Sequence, residues 1–415
     1  MAIVLPFKAI RPVQDKVQQV ASRSVDGYHH DELHERLASN PYSFLHVINP
    51  DFSDGHKTKA GSAERLQKIK ARFKQFREQG IFEQDQKPAY YIYRQVNQGH
   101  GYLGIIACTS IDDYLNGVIK IHEQTITTRE EKLKEYLDVC EFNAEPVLFC
   151  YPNDEIIDQM IMEVSQSPST CDFVTEGVRH TLWVLNDVQK VKTIALEFAR
   201  IPAIYIADGH HRSASSALLG KERRKANPHH IGKEAYNFYL GVFFSESQLK
   251  IYDFNRVVKD MNGMSLEELL QKLRLKFDVR EVPEKLHAPE KQHEFSMYVK
   301  GHCFVLEAKH GTYLKGDPVT SLDAFILTEH ILSPLLNIHD LKTDERITFI
   351  PGIKGQEALK SAVDEGKAEV AFGLYPVTME HLKWIADTHN IMPPKTTWVE
   401  PKMKSGLVIY SFEEN

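Results

Sequence analysis

The stretch that most limits how this chain can fold is Ile201 to Gly220, IPAIYIADGHHRSASSALLG. An apolar run (Ile201, Ile204, Tyr205, Ile206) ends at Ala207. Asp208-Gly209-His210-His211-Arg212 follows, and Ser213 to Leu219 then reads as a helix of small residues. A strand that breaks at glycine into a helix N-terminus presents N–H groups with no partner inside the helix, at the positive end of its dipole. That end suits a phosphate. One carboxylate, two imidazoles and a guanidinium within five positions add proton-transfer and anion-binding chemistry. The plain alternative is a tight turn whose polar residues are only solvated.

The rest of the chain sets bounds on that reading. Its 415 residues suffice for two or three domains, and 42% hydrophobic with 26% charged residues is ordinary for a globular protein. A formal charge of −7 argues against a general binder of nucleic-acid backbones. The basic run Lys221 to Lys225 follows a helix and caps it instead. The start lacks the basic region and apolar run of a signal peptide, and no window approaches a membrane span. Five scattered cysteines without a C-x-x-C pair point to reduced thiols, so the expected compartment is the cytoplasm, with no membrane partner.

Periodicity gives an α+β (mixed α/β) chain in three parts: an α-rich lead-in over 1–88, a core over 89–262 and a C-terminal α+β part over 263–415. Helical spacing covers Asp31 to Leu37 and Ala63 to Gln79. Ala89 to Val96 and Tyr102 to Cys108 read as a hairpin. Its Gly99, Gly101 and Gly104 match G-x-G-x-x-G, but a strand follows where the dinucleotide fingerprint needs a helix, so the match is rejected. A helix over Glu130 to Glu141, strands at Val147 to Tyr151, Thr181 to Leu185 and Ala203 to Ile206, and a strand pair over Asn237 to Phe244 and Leu249 to Tyr252 complete the core. Beyond it come a helix at Leu266 to Phe277, a hairpin at Glu294 to Ala308, a helix at Leu322 to Leu336, and a tail ending in a strand at Gly406 to Phe412.

A second constellation is His122-Glu123-Gln124-Thr125 with Arg129. The first pair is an acid–base couple, and the arginine can clamp an anion; the alternative is a capped helix start. His30 and His34 share a helix face and can hold a metal, but without a third ligand a solvated helix start is the better reading. Arg256 follows a strand and can offer its guanidinium to phosphate. The Pro393 to Gly406 loop carries Lys395 and Lys402 and either closes over an anion or ties down the last strand. No P-loop, zincin, nucleophile-elbow or D-x-D-x-[TV] motif is present.

Several segments together resemble one prokaryotic family, the domain-of-unknown-function family numbered 1015 (DUF1015). They are Pro6 to Pro12, Asn40 to Val47, His122-Glu123-x-Thr125, Ala207 to Arg212, and Met392-Pro-Pro-Lys395 through Pro401-Lys402 to Val408. The chain departs from the family at Val25 to Tyr28 and at Asn255-Arg256. The Gly-His-x-Arg turn also resembles the ParB/sulfiredoxin-like fold, whose members include free-serine kinases and nucleotide-using DNA-partition proteins. The resemblance implies a core of that type and phosphoryl chemistry on a small amino acid. The expectation is hydrolysis of O-phosphoserine, with an ATP- or ADP-dependent serine kinase second and a nucleotide-binding regulatory module third. Gly209, His210 and Ser213 would cradle phosphate together with His122, Thr125, Arg129, Arg256, Lys395 and Lys402. Arg212 would neutralise developing charge, His210 or His211 would serve as nucleophile or acid, and Glu123 as base. Asp208 would orient an imidazole or hold Mg²⁺. The expected partner is a phosphorylated small amino acid, with a homodimer left open.

Overall fold

The computed structural model describes residues 1–283 and 286–413. The chain divides into two units. The first comprises residues 1–121, 125–249 and 401–415, and the second residues 122–124 and 250–400. The chain therefore leaves the first unit at 250, earlier than the boundary expected at 263, and returns to it at 401.

The first unit is built on a nine-stranded mixed sheet. Its strands are β1 (Val4–Leu5), β2 (Tyr90–Asn97), β3 (His100–Ser110), β4 (Ile119–Lys120), β5 (Val147–Tyr151), β6 (Cys171–Thr175), β7 (Val178–Leu185), β8 (Ile204–Asp208) and β9 (Phe238–Ser245). They lie in the order β4-β8-β5-β9-β3-β2-β7-β6, with β1 along β3. β8 runs parallel to β4 and antiparallel to β5, while β9 is parallel to β5. The central strands read as near-continuous apolar runs because both faces are covered: every residue of Val147–Tyr151 is buried. Helices α1 (Ala63–Glu78), α2 (Thr127–Cys140), α3 (Glu155–Ser165), α4 (Val188–Phe198) and α5 (His210–Ala226) accompany the sheet. Asp154 and Asp187 cap α3 and α4 by accepting backbone N–H bonds.

The hairpin expected at Gly99 to Gly101 is present as β2 and β3, which upholds the rejection of the dinucleotide motif. Gly104 has a packing role: a Cβ there would lie 2.6 Å from the Phe243 carbonyl and 2.7 Å from the Phe244 ring. The pairing expected between Asn237–Phe244 and Leu249–Tyr252 does not occur. β9 lies between β3 and β5, whereas Lys250–Tyr252 pairs with Trp398–Glu400 in the second unit. An alternating run shows that a strand exists but not which strand it joins.

In the second unit, strands β10 (Phe254–Val258), β11 (Phe277–Val282), β12 (Glu294–Val299), β13 (His302–Ala308), β14 (Ile347–Pro351) and β15 (Val370–Gly373) form an antiparallel sheet in the order β11-β13-β12-β15-β10-β14. Helices α6 (Leu266–Leu273), α7 (Asp323–Leu327), α8 (Gln356–Asp364) and α9 (Met379–Asp387) belong to the same unit. Ser265 and Glu268 close a capping box on α6. The expected helix over Leu322 to Leu336 is shorter: α7 passes into a π-turn at Thr328–Leu332, before Pro334. The architecture is mixed α+β in both units.

Candidate active site

The strand–turn–helix read from the sequence is present in the first unit. β8 loses its regular register against β5 between Ile206 and Asp208, an irregularity of the kind that re-aims side chains near functional sites. Gly209 then takes φ 104° and ψ 30°, in the left-handed region, and serves as N-cap of the 17-residue helix α5. The N–H groups of Arg212 and Ser213 both reach the Gly209 carbonyl, at 2.9 and 3.2 Å.

Glycine is required at 209 for a second reason. A Cβ built there would lie 2.7 Å from Arg212 Nη2 and 2.8 Å from its Nε. The guanidinium therefore folds back over the turn, beside the helix N-terminus. Gly209→Ala is expected to cost about 1–2 kcal/mol from the backbone alone and to push Arg212 aside, so thermal melts will show a lower midpoint and activity will fall with it.

Charge around this turn is arranged in pairs. Asp208 Oδ2 lies 3.5 Å from Lys402 Nζ and 3.8 Å from Arg212 Nη2. Arg212 Nη1 meets Glu145 Oε2 at 3.4 Å. The Ser405 hydroxyl donates to Glu145 Oε1 at 2.6 Å, and that of Ser24 to Oε2 at 3.5 Å. Two backbone bonds between Ser22 and Ser405, at 3.2 and 2.8 Å, lay residues 22–24 along residues 402–405. Arg212, Lys402 and Asp208 keep 28%, 39% and 48% of their side-chain surface. An anion arriving from solvent can therefore exchange with the carboxylates now holding the two cations.

Further along the same strap, Lys404 is nearly buried and bonds Glu176 at 2.7 Å. Arg23 and Arg36 also reach Glu176, each at 3.1 Å. Burial pushes the Glu176 carboxyl up, but the Lys404 bond and the charges of Lys404, Arg23 and Arg36 outweigh it and hold it below the ordinary value. Its stabilisation is present above the usual glutamate range and lost as pH falls through the depressed value. Glu176→Gln is expected to cost roughly 1–3 kcal/mol at neutral pH and to flatten the acid limb of stability against pH, as read by urea titrations from pH 7 down to pH 3.

The other expected site residues are distributed as follows. Thr125 is half-buried just before α2, and Arg129 is exposed, 3.4 Å from Asp26. His210 is buried at the first position of α5. His211 Nε2 accepts the Ile126 N–H at 3.0 Å, so this ring nitrogen anchors the start of α2. Ser213 corrects an expectation: it is fully buried against Tyr239, because it follows the turn onto the core side of α5. His122, Glu123, Arg256 and Lys395 belong to the second unit. There the buried His122 accepts the Met392 N–H through its carbonyl at 2.9 Å. Arg256 is a second correction. Its guanidinium is fully buried, donates to the Phe254 carbonyl and, at 3.1 Å, to that of Lys395, and lies over the Phe349 ring. It braces the backbone instead of being offered to a ligand. Lys395 Nζ lies over the Phe254 ring. His30 and Asp31 form an exposed pair and His34 packs on Phe52, a solvated helix start. Glu145 was missed: it stands before a proline in a short loop, with no motif around it.

The sequence model of a family described as a protein of unknown function (DUF1015) matches residues 4–325. The chain belongs to that family. No curated protein matches it. Among solved structures, this DUF1015 chain is similar to a free serine kinase in complex with AMP, at 15% identity and a TM-score of 0.36, over 72% of this chain and 90% of that one. It is also similar to SbnI with C-terminal truncation from Staphylococcus aureus (14%, TM-score 0.37, 71% and 82%) and to a conserved hypothetical protein from Pyrococcus furiosus (14%, TM-score 0.35, 77% and 98%).

Proposed function

We propose that the chain is a phosphoryl-transfer enzyme that passes a phosphoryl group from a nucleotide to the hydroxyl of a small amino acid, serine by the family resemblance. The observation that carries this reading is the Gly209 turn, which sets the N-terminus of α5, Arg212, Lys402 and Asp208 together on one partly open surface. Phosphoryl transfer asks chiefly for positioning and for charge to meet the equatorial oxygens. A helix N-terminus with two adjacent cations is suited to both. In the step proposed, the serine oxygen attacks the terminal phosphorus, the bond to the departing nucleotide oxygen breaks, and the hydroxyl proton passes to solvent water. Arg212 and Lys402 exchange Asp208 for phosphate oxygens, and Glu145 holds Arg212 in orientation.

Hydrolysis of O-phosphoserine is the second reading. What weighs against His211 as the phosphohistidine of such a route is that its Nε2 already accepts a backbone hydrogen bond, which occupies the lone pair a nucleophile needs. Asp208 also makes a poor Mg²⁺ ligand, because its Oδ2 faces two cations; no step is assigned to a metal there. The nucleotide enters as a substrate.

The test is to incubate the protein with L-serine and ATP, and separately with O-phosphoserine alone, following both by ³¹P NMR. O-phosphoserine and ADP forming together, only when both substrates are present, is the expected result. Free phosphate released from O-phosphoserine without nucleotide would move the assignment to hydrolysis. Nucleotide binding with neither reaction would leave a regulatory module.

A further inference from the structure

The second unit contains a small cavity of about 30 Å³, lined in part by Asp323, Gln292, Thr378 and His381. Asp323 is 5% exposed. Its Oδ1 accepts the His293 N–H at 2.9 Å, while its Oδ2 is buried without a hydrogen-bond partner. An unmet carboxylate oxygen in a dry site is costly unless something donates to it.

The Tyr375 N–H also bears on this carboxyl, but no side chain lining the cavity donates to Oδ2. His381 Nε2 lies 2.7 Å from the Pro318 carbonyl, which can only accept, so this nitrogen carries the hydrogen. Its Nδ1 faces Gln292 Nε2 at 3.4 Å, and the same amide nitrogen donates to the Ser321 carbonyl at 2.9 Å. Among the described residues, no lysine or arginine lines the cavity. The charge of the nearby Arg256 reaches Asp323, but two of its nitrogens donate to backbone carbonyls and none donates to Asp323 Oδ2. Among the described residues, the lining is thus rich in acceptors and carries one carboxylate and no cation. A volume of this size holds about two waters, or one ammonium with its first carbon.

We propose that this cavity binds a primary ammonium group, which donates to Asp323 Oδ2 and fits its attached carbon into the remaining space. Burial raises the Asp323 carboxyl to about 8, and an arriving cation offsets that desolvation. The site lies wholly within the second unit, and the proposal stands whether or not the phosphoryl-transfer reading does.

Isothermal titration of the full-length protein at pH 8 tests it, with methylammonium chloride against tetramethylammonium chloride, which has the same charge but no N–H and a larger radius. Saturable binding of methylammonium alone is expected, at least tenfold weaker in Asp323→Asn. Equal responses to the two salts, or an unchanged affinity in Asp323→Asn, would overturn the proposal and leave the cavity to water. If Asp323→Asn does not fold, the wild-type difference between the two cations decides the matter. A glycine arm separates the two sources of such a group: affinity equal to methylammonium identifies an amino-acid ligand, and affinity at least tenfold lower identifies a free amine.

Discussion

Replacing Arg212 by alanine is expected to lower the rate of phosphoryl transfer by about 10²–10³-fold, on the order of 3 kcal/mol in the transition state, while leaving the melting temperature within a few degrees of wild type. The guanidinium lies folded over Gly209 at the N-terminus of α5, with Glu145 on one side and Asp208 on the other. All of its present partners are carboxylates on a partly open surface, so the fold loses little with it, whereas a developing phosphoryl charge loses its best-oriented donor. Arg212→Lys is expected to recover only part of the loss, since a point charge cannot replace the planar fork. Initial rates with L-serine and ATP, run beside a thermal melt, check the prediction. Full turnover in Arg212→Ala would remove the Gly209 turn from the chemistry.

The second large effect is on stability. Arg256→Ala is expected to cost about 3–5 kcal/mol, seen as a lower urea midpoint. Burial brings the guanidinium down to about 10, against the pull of Asp253 and Asp323, and it remains charged at neutral pH. Its removal leaves the Phe254 and Lys395 carbonyls without a donor and two buried carboxyls without their nearest cation. A midpoint within about 0.5 kcal/mol of wild type would show that water replaces the guanidinium without cost.

Local sequence was informative wherever the physics is local. The β-branched run before Asp208, the glycine after it and the small residues beyond specify β8, the left-handed turn and α5 without reference to any other part of the chain. The hairpin around Gly99 was legible for the same reason. Pairing between distant segments was not. Glu145 acquires its place from Arg212 and from Ser405, 260 residues away, and no local pattern foretells that. Arg256 looked available because arginine is usually exposed; only the tertiary fold shows it enclosed by Phe349 and two carbonyls. The last strand was expected over Gly406 to Phe412, yet only Tyr410–Ser411 forms a ladder. The rest is held by single bonds, such as those between Ile10 and Ile409, which leave no periodic trace.

The segment carrying Lys402, Lys404 and Ser405 is translated after the whole of the second unit, yet it completes the wall beside the Gly209 turn in the first. A nascent chain that has not yet reached residue 402 therefore lacks one of the two cations beside Asp208 and one of the two hydroxyls that hold Glu145. On the ribosome, the two halves of this charged wall are separated by the time needed to make an entire folding unit, and the wall is complete only once residue 405 has been added.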